Sequence, residues 1–249
     1  MRGVFKTLER IWAIVKKDIR IYYLKGPVMI FGLLIPLFLY LAYALGRSVQ
    51  PAEVFSSIIS MSLFFTATAV GPVIAPWETR SHTLERLISA PVSMAIIIAG
   101  DALASATFGS AITLVATFFG LLMGLQIFNP LLMILNLLIS SLCFSFFGLL
   151  LSSPPTDIPA DVMMISTLLK FPMAFISGIF LPLNQMPELL KHVALLSPLT
   201  YTTEVFRYSV YGEATFLPVQ VELLILTGYM LFFIAASIKL HERSLHRRI

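Results

Sequence analysis

The sequence predicts an all-α integral membrane protein. It should have six transmembrane helices, an interfacial amphipathic helix at the N-terminus, a short charged cytoplasmic helix between spans two and three, and short re-entrant helices between spans five and six. Three observations predict this class. The 249 residues are 58% hydrophobic and 12% charged, against roughly 25% charged in an ordinary soluble domain, so the surplus apolar surface must face lipid. The apolar residues fall in unbroken runs, among them the uncharged 21 residues 26–46 and the 55 between Asp101 and Asp157. Finally, thirteen of the seventeen Lys and Arg fall on one side of the bilayer once the spans are drawn.

The first 25 residues come first in the chain and read as a helix lying in the inner membrane interface. Val4, Leu8, Ile11, Val15, Ile19 and Tyr22 recur at steps of three or four, while Lys6, Arg10, Lys16, Lys17 and Arg20 avoid that stripe. Such a helix puts its apolar side in the acyl boundary and its cations among lipid phosphates. A polybasic nucleic-acid arm would leave the stripe unexplained, so no nucleic-acid partner is expected. The run after it, 27–46, is longer than the ~7–15 apolar residues of a signal peptide and reads as an uncleaved first span.

Span two is 54–76. The 55 uncharged residues that follow Asp101 would extend ~80 Å as one helix, far beyond a ~30 Å hydrocarbon core. They must double back, and Phe128-Asn129-Pro130 is the natural turn. This gives span three at 93–124 and span four at 131–152. The breaker cluster SSPPTDIPAD precedes span five at 162–181, and span six is 217–240. The dense Lys and Arg of both tails, with Arg80 and Arg86 of the 77–91 loop, place those segments in the cytoplasm by the positive-inside rule. The protein is thereby expected to be a multi-pass plasma-membrane protein with both termini inside.

Catalytic signatures are missing from the sequence. There is no GxxxxGK[ST] phosphate loop, no HExxH and no GxSxG. His82, His192, His241 and His246 lack metal-ligand spacing, and the single Cys143 rules out an intrachain disulfide. The expectation is therefore no catalytic residue, no metal and no cofactor held by this chain. An ion-coupled carrier would need ionisable groups within its spans. Asp101, Lys170 and Glu222 are the candidates. Lys170 either snorkels to the interface or pairs with an acid, or it faces a water-filled pathway and attracts an acidic group on a substrate.

Two segments break the apolar pattern. WETRSHTLERLISAP, residues 77–91, is too short to span and too charged to bury. Leu84, Leu87 and Ile88 form a small apolar face at steps of three and four, with Arg80, Glu85 and Arg86 projecting elsewhere, and Pro76 and Pro91 bound the element. It reads either as an ordinary capped loop helix or as a docking knob for a cytosolic partner. In 175–207, Pro182, Pro187 and Pro198 cut the chain into pieces shorter than a span. Ser197-Pro198 reads as an N-cap with Pro at the first helical position. Two short helices over 183–211, dipping into the outer leaflet against protein, satisfy these constraints.

Both segments resemble the type-2 permeases of ATP-binding-cassette exporters. The family pattern of a glutamate, a Gly-Thr-Leu-Glu-like core, a leucine and a proline is matched here by Glu78, His82-Thr83-Leu84-Glu85, Leu87 and Pro91. His82 replaces the usual glycine, and Asp101 stands where a lysine is common after Gly100. The second pattern is matched by Ser177, Gly178, Ile179, Phe180 and Pro182, then Met186-Pro187, Pro198 to Tyr201, and Arg207. The resemblance implies a coupling helix at 77–91. Glu78, Arg80, His82, Thr83, Leu84, Glu85, Arg86 and Leu87 would contact a cytosolic ATPase subunit, present in two copies, which alone binds ATP and Mg. It implies a second permease copy or a paralogue, a lipid surround, and a pathway along spans two and five. Ser60, Thr66, Lys170, Phe171, Phe175 and Phe180 are the candidate pathway and gate residues, with Gly71-Pro72 and Phe171-Pro172 as hinges. The expected function is export of a hydrophobic or amphipathic substrate; the alternatives are an ion-coupled carrier and a non-transporting membrane scaffold.

Overall fold

The computed structural model describes residues 2–25, 28, 32, 34, 37–38, 41–42, 51–90, 92–122, 124–212 and 216–245. The expected first span lies largely outside the described residues, as do Pro91 and His246. The described residues are helical throughout their regular structure. Helix α1 is Arg2–Asp18, with a π turn at Ile19–Tyr23. There follow α2 (Pro51–Ala67), α3 (Gly71–Arg80), α4 (Thr83–Ser89), α5 (Met94–Leu122), α6 (Pro130–Leu151) and α7 (Pro159–Ile176). A 3₁₀ turn at Leu183–Gln185 leads to α8 (Glu188–Ala194), α9 (Pro198–Tyr211) and α10 (Val219–Leu245). Among the described residues, five stretches are long and apolar enough to cross a membrane: Glu53–Arg80, which joins α2 and α3, and then α5, α6, α7 and α10.

The core gathers around α2. It packs against α5, α6 and α9, and α10 closes the far side of α6. Phe64, Phe144 and Phe206 are fully buried there, with Ile59, Met61 and Leu63. Small residues let the backbones approach, as in membrane bundles generally. A Cβ on Gly71 would meet the Gly148 carbonyl carbon and the Leu149 nitrogen at 3.3 Å, and one on Gly109 would meet the Ala67 nitrogen at 3.1 Å. Many buried hydroxyls bond within their own helices, Thr113 Oγ1 to the Gly109 carbonyl at 2.8 Å and Ser145 Oγ to the Ser141 carbonyl at 2.7 Å. Asn136 crosses between helices instead: its Nδ2 donates to the Thr202 carbonyl of α9 at 3.0 Å.

Local chemistry explains several helix ends. Asn129 caps α6, its side chain accepting from the Leu132 N–H at 3.1 Å, and Pro130 takes the first turn, where a missing N–H costs nothing. Gly212, at φ +72°, ends α9 with its N–H on the Tyr208 carbonyl at 2.8 Å. Two prolines behave differently from expectation. Pro76 lies inside α3 and does not bound the following insert, so Trp77 to Arg80 belong to span two and the separate short helix begins at Thr83. Pro172 lies within an unbroken α7. Each proline removes one backbone bond, and the surrounding turns keep the rest.

The N-terminal helix also corrects its sequence reading. Ile11, Val15 and Ile19, expected against lipid, pack on the bundle beside Val73, Ile74, Ala104 and Phe108. Phe5, Leu8 and Trp12 form the outward apolar ridge. Gly100 permits this docking: a Cβ there would meet Ile14 Cγ2 at 2.6 Å. A single apolar stripe cannot say which of its edges meets protein.

Candidate functional site

At one end of the bundle α3 turns into α4, and the N-terminal helix is clamped beside that turn. Glu78 is buried and pairs with the Lys17 ammonium. Lys17 also lies 3.0 Å from Oδ1 of the buried Asp18, with Asp101 of α5 acting on the same ammonium. Burial alone would lower the Lys17 pKa, but Asp101, Glu78 and Asp18 together outweigh it and hold the ammonium above its ordinary value. Aromatic contacts reinforce the clamp. Tyr22 stacks on Trp77 with ring centroids 5.6 Å apart, and the Tyr23 hydroxyl bonds Ser105.

The turn itself depends on His82, which adopts φ +55° in the left-handed region. Glycine favours this conformation because it has no Cβ. Here the histidine is held by its neighbours: its Nδ1 lies 3.0 Å from Oε1 of Glu85, and Ser81 Oγ donates to the Trp77 carbonyl at 2.6 Å. Thr83 Oγ1 reaches back to the Glu78 carbonyl at 3.3 Å. In α4, Leu84 is buried, Leu87 and Ile88 are half-buried, and Arg80, His82, Glu85 and Arg86 are exposed. The expected contact set therefore divides. Glu78 and Leu84 are turned inward, Glu78 pairing with Lys17; Thr83 and Leu87 are half-buried, and Arg80, His82, Glu85 and Arg86 form the outward surface.

The six expected pathway residues fall in three places. Ser60 and Thr66 are fully buried and bond their own helix, Ser60 Oγ to the Ser56 carbonyl at 2.7 Å and Thr66 Oγ1 to the Ser62 carbonyl. They face protein because α2 runs through the centre of this subunit, so they line no open space here. Lys170 and Phe171 line a cavity of about 620 Å³ together with Tyr22, Phe65, Ala69 and Trp77. Phe171 meets Phe65 edge-on at 5.5 Å. Phe175 and Phe180 stack at 5.1 Å at the C-terminal end of α7, about one turn beyond Phe171, with Phe175 exposed and Phe180 buried.

Lys170 has a role that neither sequence reading anticipated. Span two breaks at residues 68–70, before Gly71-Pro72. Pro72 has no N–H to offer the Thr68 carbonyl four residues earlier. Lys170 Nζ donates to that carbonyl at 3.1 Å. A cation on α7 thus satisfies the backbone group freed in span two, at a helix C-terminus where positive charge is favoured.

The 175–207 stretch is tied together by Arg207, which pairs with Glu204 and donates from Nη2 to the Gly178 carbonyl at 2.8 Å. Ser57 Oγ of α2 donates to the Ile179 carbonyl at 2.8 Å. Sequence reasoning missed the clamp of Lys17, Asp18, Glu78 and Asp101. Its only advance signal was two acids in apolar surroundings, Asp18 beside the α1 stripe and Asp101 in span three.

Several apolar membrane-length helices, joined at one end by a short polar helix with an exposed charged face, define a multi-pass membrane protein. A family model described as ABC-2 type transporter matches residues 9–211, and the chain belongs to that family. It is also similar to the inner membrane transport permease YadH of Escherichia coli (strain K12), at 28% identity over 137 residues, 53% of this chain and 51% of that protein. The same figures hold for the proteins of that name in Escherichia coli O157:H7 and Shigella flexneri. The match spans about half the length of these relatives.

Proposed function

We propose that this chain is the membrane-spanning subunit of an ATP-driven exporter, moving a hydrophobic or amphipathic substrate outward. It has six spans with both termini cytoplasmic and works as a pair with a second copy or a paralogue. Two cytosolic ATPase subunits bind the ATP and Mg, and α4 carries their closing motion into spans two and three. The observation that carries this reading is the division of α4. Leu84 is buried, while His82, Glu85 and Arg86, with Arg80 at the end of α3, are exposed where a partner can meet them. A rigid mount beneath an exposed polar face suits force transmission. The Lys17–Glu78 pair, joining α1 to the same corner, makes that mount stiffer.

The test is reconstitution with the ATPase subunits that co-purify. Leu87→Asp, on the half-buried shoulder of α4, should leave the assembled permease intact and uncouple ATP turnover from transport. Unchanged coupling in that variant and in Arg86→Glu would overturn the role of α4. Transport driven by an ion gradient with no ATPase present would overturn the exporter reading as a whole.

A further inference from the structure

The cavity beside the break in span two is largely apolar, with Thr167, Tyr22 and two lysines supplying its polar groups. Trp77, Tyr22, Phe65 and Phe171 form much of its wall, and Lys170 stands among them, with the exposed Lys25 at the margin. No carboxylate lines it among the described residues. The Lys170 ammonium carries three donors, and among the described residues the one bond it makes goes to the Thr68 carbonyl. A carbonyl satisfies a donor without neutralising the charge, and an unneutralised cation in apolar surroundings is unfavourable. The free donors and the missing anion make complementary demands. The volume, about 620 Å³, is in the range of small-molecule sites.

We propose that this cavity binds an amphipathic anion, with a carboxylate or phosphate head on Lys170 and an acyl or aryl body between Trp77, Tyr22 and Phe171. It rests on the exporter reading only in making that anion the cargo; binding needs no ATPase. Because the same ammonium holds the Thr68 carbonyl, a bound anion shares the group that closes the break in span two. Occupancy and the geometry of that break are thereby linked.

Tryptophan quenching tests the proposal on the full chain. The protein has two tryptophans, and Trp12 is exposed, so Trp12→Phe leaves Trp77 as a reporter in the cavity wall. The variant is placed in phosphatidylcholine nanodiscs and titrated with stearate brominated at mid-chain, and separately with its methyl ester. The acid should quench Trp77 with about tenfold tighter apparent affinity than the ester, the scale of one charge-assisted hydrogen bond. Lys170→Met should abolish the difference and Lys170→Arg should retain it, with the emission maximum of Trp77 reporting an intact cavity in both. Brominated phosphatidylglycerol set against brominated phosphatidylcholine separates the two sources of the anion. Preferential quenching by phosphatidylglycerol assigns the site to a lipid headgroup, and quenching by the free acid alone assigns it to a dissolved amphiphile. Equal quenching by acid and ester, or a difference that survives Lys170→Met, overturns the proposal. Neither result touches the ATPase coupling of α4, so failure here is distinguishable from failure of the exporter reading.

Discussion

Spans two and five both contain an internal proline, both are apolar, and both contribute to one cavity, yet the chain treats them oppositely. Of the most apolar window of span two, 83% is buried within the subunit; for span five the share is 17%. Span two carries small and hydroxyl-bearing residues that let neighbours close on it from every side. Span five turns Met163, Met164, Leu168 and Leu169 outward and is held chiefly through α3 and the Lys170 bond to Thr68. One helix is the axle of the subunit; the other is a face whose surroundings lie beyond it. In the proposed assembly those surroundings are lipid and a second permease copy. Damage should therefore be structural in span two and functional in span five.

Substitutions can break or sharpen this contrast. The largest effect is expected from Gly71→Leu. Its neighbours are the backbone atoms of Gly148 and Leu149, which cannot yield as a side-chain tip would. Size-exclusion chromatography of the solubilised chain should show loss of the monodisperse peak, and a well-behaved Gly71→Leu protein would refute the close packing of α3 on α6. Next is Lys17→Met, which leaves Glu78 and Asp18 buried without their cation. Removing one partner of a buried ion pair costs about 3–5 kcal/mol, and a thermal melt in nanodiscs should fall accordingly. The Lys17 pKa is raised above its ordinary 10.5. Its stabilisation is therefore complete below that pH and is lost only as pH climbs through the raised value. The Lys17→Met deficit should thus be equal at pH 7 and pH 9.

The direct comparison of the two spans comes third. Ile59→Ala in span two should cost about 2–5 kcal/mol, the range for emptying a packed core site. Leu168→Ala in span five should stay within about 0.5 kcal/mol in the isolated subunit. Equal losses would erase the distinction between axle and face. The smallest effect belongs to His82→Gly. Relief of a left-handed non-glycine residue should stabilise the turn by about 1 kcal/mol or less, less whatever the exposed contact with Glu85 contributes. A clear destabilisation would mean that the His82 ring, and not the turn, holds α4 in place.

The pattern of success in reading the sequence follows the same division. Composition and run length announce an all-helical membrane protein, because excess apolar surface has one consistent destination. Punctuation is legible where a residue acts on its own neighbours, as Asn129 and Pro130 do in opening α6. What stays hidden is direction. Ser60 and Thr66 look like lining for a pathway on a helical wheel, but the wheel does not say that both are fully buried, Thr66 close against Gly32. Leu84 and Leu87 share one small apolar face in the sequence, yet the fold buries the first and leaves the second half-buried. The clamp joins residues from α1, α3 and α5, far apart in the chain, and the two acids in apolar surroundings, Asp18 and Asp101, do not by themselves name their partner. For Lys170 the sequence offered snorkelling, an acidic partner or an acidic group on a substrate, and gave no sign of the backbone carbonyl that a proline on another helix leaves open to it.

The central claim is that the corner of α3 and α4 receives force from a cytosolic partner. Its most direct measurement uses His82→Cys, which adds an exposed thiol to a chain whose native Cys143 is buried. Inside-out vesicles are treated with a membrane-impermeant maleimide, with and without the bound ATPase subunits. The account predicts rapid labelling of the bare permease and strong protection once the ATPase is bound. Labelling only from the outer face of intact cells, or an equal rate with and without the ATPase, would contradict it.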